Sequence, residues 1–385
     1  IVTSYDVATR FYGTPVAPIF QVILPFTTSP EELIRIDAYY REVVVGMQQH
    51  LLPGGLRVHE WLGEYRPEAI QVIPLVEDMP RMVQVDHLTE RYLDLLGRPV
   101  EGLRVFLARS DPALNYGVVS ASLLAKLALQ RLHHLELRIG VPIYPIIGVG
   151  GVPFRGNFRP GRVGRLLESY PSVQTFTVQS SFKYDYPPAD VIAAVGELMA
   201  HQRTSPLPID EPRALDVVSR FTRRYQEQVA GLAKLVNTAA AYVPQRRDRR
   251  LHNGLFGYSR TSGDNGEGVH LPRAITFCAA LYSLGIPPEL LGLDALTSED
   301  LSFLQDAMPH YTSDLADALR FANEGNIELA MGRPGLETLY RFQQGVDLEH
   351  RGITTLVGER IRTGFDEEQT RSLVEWASKV RGFLG

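Results

Sequence analysis

Short apolar runs rich in Val, Ile, Phe and Leu alternate with longer helical patterns through the first half of the chain. The runs are residues 18–25, 69–76, 103–108, 141–147 and 173–178. Between them, residues 29–51, 85–96, 116–139 and 160–169 carry helical periodicity. Ser29-Pro30-Glu31-Glu32 is a start signal, with Ser29 as cap and Pro30 in the first turn. Runs this rich in Val, Ile, Phe and Leu suit buried parallel strands, and alternation at this spacing calls for parallel strands joined by crossover helices. Five such strands fit two architectures, an open doubly wound sheet and part of an eight-stranded barrel, and the pattern alone does not separate them.

Strand signals fade after about residue 186. Residues 190–201, 211–242, 272–285, 298–308 and 313–330 read as helices. In the long one, Val217, Val218, Phe221, Tyr225, Val229, Leu232 and Leu235 fall on one face, which predicts core or a subunit contact. The organisation expected is a strand-bearing part over residues 1–186 and a mainly helical part over 187–385, the latter including a loop at 246–268. A chain of 385 residues with 44% hydrophobic content can bury a sizeable core, and a net charge of −5 argues against a general nucleic-acid binder. The single cysteine, Cys278, lies in an apolar run; it excludes a disulfide framework within the chain and suits a reducing cytoplasm. No apolar stretch approaches a membrane span. Residues 1–8 already read as helix, without a basic leader or cleavage motif.

The chemistry-bearing residues fall at the C-terminal ends of the expected strands, the edge where parallel α/β folds bind ligands. Residues 69–76 run into Glu77-Asp78, and residues 103–108 into Arg109-Ser110-Asp111. The run at 141–147 ends in Gly148-Val149-Gly150-Gly151, followed by Phe154-Arg155-Gly156. Gln179 and Lys183 follow the last run. Glu77 and Asp111 form a candidate pair for a hard cation, Mg²⁺ or Mn²⁺, with water and substrate completing the shell. Equally, each acid can cap a helix or pair with an arginine. Glycines at 150, 151 and 156 let backbone approach an anion, and Arg155 can grip phosphate or carboxylate bidentately. The turn fits neither the P-loop nor the dinucleotide fingerprint. A second basic cluster, Arg246-Arg247-Asp248-Arg249-Arg250, precedes Gly254-Leu255-Phe256-Gly257-Tyr258-Ser259-Arg260 and a glycine-rich stretch to Gly268 that reads as a lid. The cluster is either a polyanion site or a solvated helix end.

Taken together, Val72-Ile73-Pro74-Leu75-Val76-Glu77-Asp78, Leu107-Ala108-Arg109-Ser110-Asp111-Pro112, Pro153-Phe154-Arg155-Gly156-Asn157, Gln179-Ser180-Ser181-Phe182-Lys183 and Leu255-Phe256-Gly257-Tyr258-Ser259-Arg260 resemble the archaeal-type phosphoenolpyruvate carboxylases. The resemblance implies an eight-stranded α/β barrel of the phosphoenolpyruvate/pyruvate kind, embellished with helices and lacking its first strands in this chain. It implies condensation of phosphoenolpyruvate with bicarbonate to oxaloacetate and phosphate, through carboxyphosphate and an enolate. By the same resemblance Glu77 and Asp111 are metal ligands, and Arg155, Arg260 and Arg109 are catalytic. Gly150, Gly151, Gly156, Gln179, Lys183 and Ser259 are then substrate-binding, the cofactor is Mg²⁺ or Mn²⁺, and the assembly is a cytoplasmic homotetramer with no nucleic-acid or membrane partner. Two positions depart from the larger bacterial-type enzymes: Leu114 stands where they carry a lysine, and Val149 where they carry an arginine. The family's essential histidine lies in a Thr-Gln-His-Pro motif, which is not found here, and none of the ten histidines is an obvious replacement. That leaves three other readings open: a catalytically incomplete domain, a polyanion binder acting through residues 246–250, and another enolate-forming barrel lyase.

Overall fold

A computed structural model describes residues 1–244, 261–262, 269–364 and 366–385. The expected βα alternation is realised. Helix α1 (Val2–Tyr12) precedes β1 (Gln21–Leu24), α2 (Pro30–Ala38), α3 (Val58–Leu62) and β2 (Gln71–Val76). Then come α4 (Met79–Val83), α5 (Val85–Leu96), β3 (Leu103–Ala108), α6 (Ser110–Tyr116), α7 (Val118–Ile139) and β4 (Ile143–Gly148). After α8 (Val163–Ser169), the short β5 (Thr175–Phe176) completes a five-stranded parallel sheet in the order β1-β2-β3-β4-β5. Val72, Ile73 and Val76 of β2 and Leu103, Val105 and Leu107 of β3 are buried, adjacent residues included, as expected of strands covered on both faces. At the sheet edge, β1 leaves Ile23 exposed.

The chain forms two compact units. The first comprises residues 1–108, 128–147 and 173–175, and the second residues 109–127, 148–172 and 176–385. In the first, Tyr92 of α5 donates its hydroxyl to the Val72 carbonyl at 3.1 Å, holding helix to strand inside the core. The second holds α9 (Ser180–Tyr184), α10 (Pro188–Ala200), α11 (Glu211–Ala240), α12 (Ala274–Ser283), α13 (Ser298–Ala307), α14 (Tyr311–Leu319), α15 (Glu324–Phe342), α16 (Leu348–Thr363) and α17 (Glu367–Arg381). Helix α11 buries the face expected of it, with Val236 rather than Leu235 at its end. Tyr225 on that face donates to the Leu114 carbonyl at 2.9 Å, buttressing α6. Cys278 is a buried helix residue, and burial pushes its thiol up, which leaves it unreactive.

Three expectations need correction. The helix expected over 29–51 keeps its capping box at Ser29 and Glu32 but changes type after Ala38. It continues as a π-helical segment, Tyr39–Val45, and a 3₁₀ turn, Gly46–Gln49. Three consecutive valines crowd the backbone there and a glycine follows, a combination that weakens α geometry. The helix expected over 313–330 is broken at Asn323. That buried side chain accepts from the Asn326 N–H at 3.1 Å and donates to the Thr354 and Thr355 hydroxyls, capping a new helix instead of continuing the old one. Finally, the run 173–178 pairs only over Thr175–Phe176.

Candidate functional site

The glycine turn after β4 is built from its own hydrogen bonds. The Gly150 N–H donates to the Arg155 carbonyl at 2.7 Å, and the Gly150 carbonyl accepts from the Phe158 N–H at 2.8 Å. Its tip is a short 3₁₀ turn, Pro153–Arg155. Gly156 follows at φ +122°, where a Cβ would also press on Val149 at 2.9 Å. Gly150 is needed for space: a Cβ there would meet the Arg155 guanidinium carbon at 2.9 Å. Gly150, expected from the sequence to border substrate, uses its amide within the turn. That N–H closes the turn, and the open space beside Gly150 is occupied by the arginine side chain. Phe154 anchors the turn from below, buried against Tyr225 and Phe277.

Arg155 is buried, at 4% exposure. Its Nε donates to Ser110 Oγ at 3.2 Å, and its Nη1 to the Gly385 main-chain oxygen at 3.1 Å. Ser110 immediately precedes Asp111 in the first turn of α6. The polar turn at 109–111 is thus joined directly to the glycine turn.

Arg109 occupies the N-cap position of α6 and is also buried. Its guanidinium donates to the Phe154 carbonyl at 2.9 Å, to Ser122 Oγ at 2.8 Å and to Tyr170 Oη at 3.3 Å. The fork therefore faces protein oxygens on the glycine turn, α7 and the end of α8. Beside it lies a cavity of about 70 Å³, lined among others by Lys126, Asn157, Glu289, Tyr311 and Asp314. Burial, with Arg109 as the neighbouring like charge, pushes Lys126 down to about 7; its amine donates to the Ser169 carbonyl at 2.6 Å and sits over the Tyr170 ring. Burial raises Glu289 to about 7 against the opposing influence of its hydrogen bonds and of Arg109, and Tyr282 donates to Glu289 Oε1 at 2.8 Å. Burial likewise raises Asp314, which accepts from Asn157 Nδ2 at 2.6 Å. The sequence reading passed over Lys126, Ser122, Tyr170 and Glu289. Lys126 was legible in principle, as a lone lysine in the apolar run Leu123-Leu124-Ala125-Lys126-Leu127-Ala128.

The remaining candidates are placed as follows. Glu77 follows the last residue of β2 and is half-buried; Asp111, also half-buried, is the second residue of α6. Both are carboxylates, the hard-oxygen chemistry that suits Mg²⁺ or Mn²⁺. Among the described residues no group of three or more His, Cys, Asp or Glu side chains is assembled, so no competing site built from protein ligands alone is found there. Gln179 occupies the N-cap position of α9 without a side-chain capping bond, and Lys183 is an exposed residue of that helix lying over the Tyr184 ring. Gly151 sits in the turn, where a Cβ would make ordinary contacts of 3.8 Å with the Phe158 carbonyl oxygen and Ser181 Oγ. Ser259, Arg260, the basic cluster at 246–250 and most of the expected lid lie outside the described residues. His133 and His134 belong to α7, His310 contacts Glu168 at 2.6 Å, and His350 is buried against Arg381. No single helix among the described residues is long and apolar enough to cross a membrane.

A parallel sheet followed by arginine-bearing turns, one of them glycine-rich and closed around a buried guanidinium, defines an α/β protein of the kind that binds ligands at its strand ends. A family model described as phosphoenolpyruvate carboxylase matches residues 1–385. The chain is 50% identical over 384 residues to the phosphoenolpyruvate carboxylase of Methanothermobacter thermautotrophicus, covering 99% of this chain and 77% of that protein. It is 48% identical to that of Methanospirillum hungatei, covering 99% and 78%, and 46% identical to that of Pyrococcus furiosus, covering 83% and 66%. The chain belongs to the phosphoenolpyruvate carboxylase family.

Proposed function

We propose that this protein carboxylates phosphoenolpyruvate with bicarbonate, giving oxaloacetate and phosphate. Family membership over the full chain supports the reaction. The structural observation that carries the site is the buried Arg155, fixed on its glycine turn and bonded to the residue next to Asp111. A bicarbonate oxygen attacks phosphorus as the bond from phosphorus to the enolate oxygen breaks, leaving carboxyphosphate and the enolate of pyruvate. A base takes the carboxyphosphate proton, and the bond from carbon to the bridging oxygen breaks, giving phosphate and CO₂. The enolate carbon attacks CO₂, forming the new carbon–carbon bond.

Glu77 and Asp111 are the residues that would hold Mg²⁺ or Mn²⁺, which supplies charge stabilisation at phosphate and enolate oxygens when bound. Arg155, with Arg260 and Ser259, grips the transferring phosphoryl group or bicarbonate; a preset fork stabilises developing charge without reorganising. Gly151, Gly156, Gln179 and Lys183 border the substrate. Water must be kept out, because a protonated enolate leaves as pyruvate. We further propose that the five strands form part of an eight-stranded barrel, and that the protein works as a cytoplasmic homotetramer without nucleic-acid or membrane partners. Divalent-cation-dependent formation of oxaloacetate by the full-length gene product tests the reaction.

A further inference from the structure

The turn carrying Asp111 and the turn carrying Arg155 are tied twice, in opposite directions. Arg109 reaches from the first to the carbonyl of Phe154, and Arg155 reaches from the second to the hydroxyl of Ser110. Each arginine stands next to the other's partner in sequence. A buried guanidinium with three neutral acceptors in hydrogen-bond geometry is desolvated and directionally fixed, so it transmits the position of one turn to the other. Its remaining bonds go to Ser122 of α7 and Tyr170 at the end of α8. Ser122 is itself held by donating to the Val118 carbonyl at 2.8 Å, and Tyr170 is capped by the Lys126 amine. The clasp therefore rests on two helices rather than on a loop.

We propose that Arg109 is a positioning residue, a buried strut that sets Arg155 relative to Asp111, and not a group that touches substrate. This rests on the function proposed above and replaces the catalytic role read for Arg109 from the sequence. A strut differs from a substrate ligand in its kinetic signature. Loosening two reacting groups relative to each other lowers turnover, whereas removing a ligand of the ground state raises KM. Lysine keeps the charge but offers one nitrogen where three bonds diverge, so it should not restore the clasp.

The experiment uses the full-length gene product and its Arg109→Lys, Ser122→Ala and Tyr170→Phe variants. Oxaloacetate and pyruvate are followed with phosphoenolpyruvate, bicarbonate and Mg²⁺, alongside hydrogen exchange of the segment 153–158. Arg109→Lys is expected to lower kcat about 10- to 100-fold, to leave KM for phosphoenolpyruvate within about threefold, and to raise the share of pyruvate. Ser122→Ala and Tyr170→Phe should shift kcat in the same direction by less, and hydrogen exchange of the glycine turn should quicken in all three. A KM raised tenfold or more at unchanged kcat would show that Arg109 grips substrate and overturn the proposal. Unchanged kinetics and unchanged exchange in Arg109→Lys would overturn it as well. Should the unmodified protein make no oxaloacetate, the functional reading fails by itself. The exchange measurement then still decides whether Arg109 braces the turn, and the milder Ser122→Ala and Tyr170→Phe variants decide it if Arg109→Lys does not fold.

Discussion

Arg155 Nε lies 3.2 Å from Ser110 Oγ, so the tip of the glycine turn is bonded to the residue that leads into Asp111. A mobile arginine at a strand end would be a solvated loop residue. A buried one, packed against Gly150 and bonded to Ser110, is held in place, and the role proposed for it on an anion needs that fixity. Arg155→Lys keeps the charge and loses the bidentate fork. We expect turnover to fall by about 10²–10³ with pyruvate release rising, measured as the ratio of the two products. Wild-type turnover in this variant would place the site elsewhere.

Gly150→Ala tests the same geometry without touching the arginine. The new methyl would meet Arg155 at 2.9–3.1 Å along its side chain and must push it from Ser110. Activity should drop about tenfold or more while thermal unfolding shifts only slightly, because the backbone of Gly150 is not left-handed. Gly156→Ala should differ. There the φ of +122° adds strain, and a loss of about 1–3 kcal/mol in stability is expected by denaturant titration.

Much of this was legible in the sequence. Buried strands announced themselves because Val72–Val76 is apolar on both faces and Leu103–Ala108 is apolar but for Arg104, and polar residues at strand ends marked the turns. The Arg109 clasp was not legible. A guanidinium after a strand reads as a ligand group, and only packing shows whether its fork faces solvent or the protein. Breaks inside helices were hidden for a similar reason. Asn323 caps a helix through tertiary partners on α16, which are far from it in the chain.

Replacing either carboxylate of the proposed metal pair should weaken cation dependence. Glu77→Gln or Asp111→Asn is expected to raise the Mn²⁺ concentration for half-maximal activity about tenfold or more, since few protein ligands hold such a cation. An unchanged metal requirement in both variants would remove the pair from the metal site.

Acid should loosen the helical part through His350. Burial, reinforced by Arg381, pushes its folded value down to about 3 from the ordinary histidine value of about 6.5. The unfolded chain takes up the proton near pH 6.5 and the folded chain does not until about pH 3. The contribution is therefore complete above pH 6.5 and is lost as pH falls toward 3, on the order of 2 kcal/mol between pH 7 and pH 5. His350→Gln should flatten that part of the stability curve, and an unaltered slope would show that another group governs it.

For the basic stretch at 246–250 we expect no tight nucleic-acid complex. Binding of duplex or single strands, titrated against salt, should not exceed that of any basic patch; a tight complex with a steep salt slope would favour the polyanion reading.

The reaction itself is tested most directly by isotope transfer. The full-length gene product is supplied with Mg²⁺, phosphoenolpyruvate and bicarbonate labelled with ¹⁸O at all oxygens, and both products are weighed by mass spectrometry before label exchanges with water. Attack of bicarbonate on phosphorus leaves one labelled oxygen in each phosphate and two in the new carboxylate of oxaloacetate. Phosphate free of label, or label in phosphate with no oxaloacetate formed, would contradict the account.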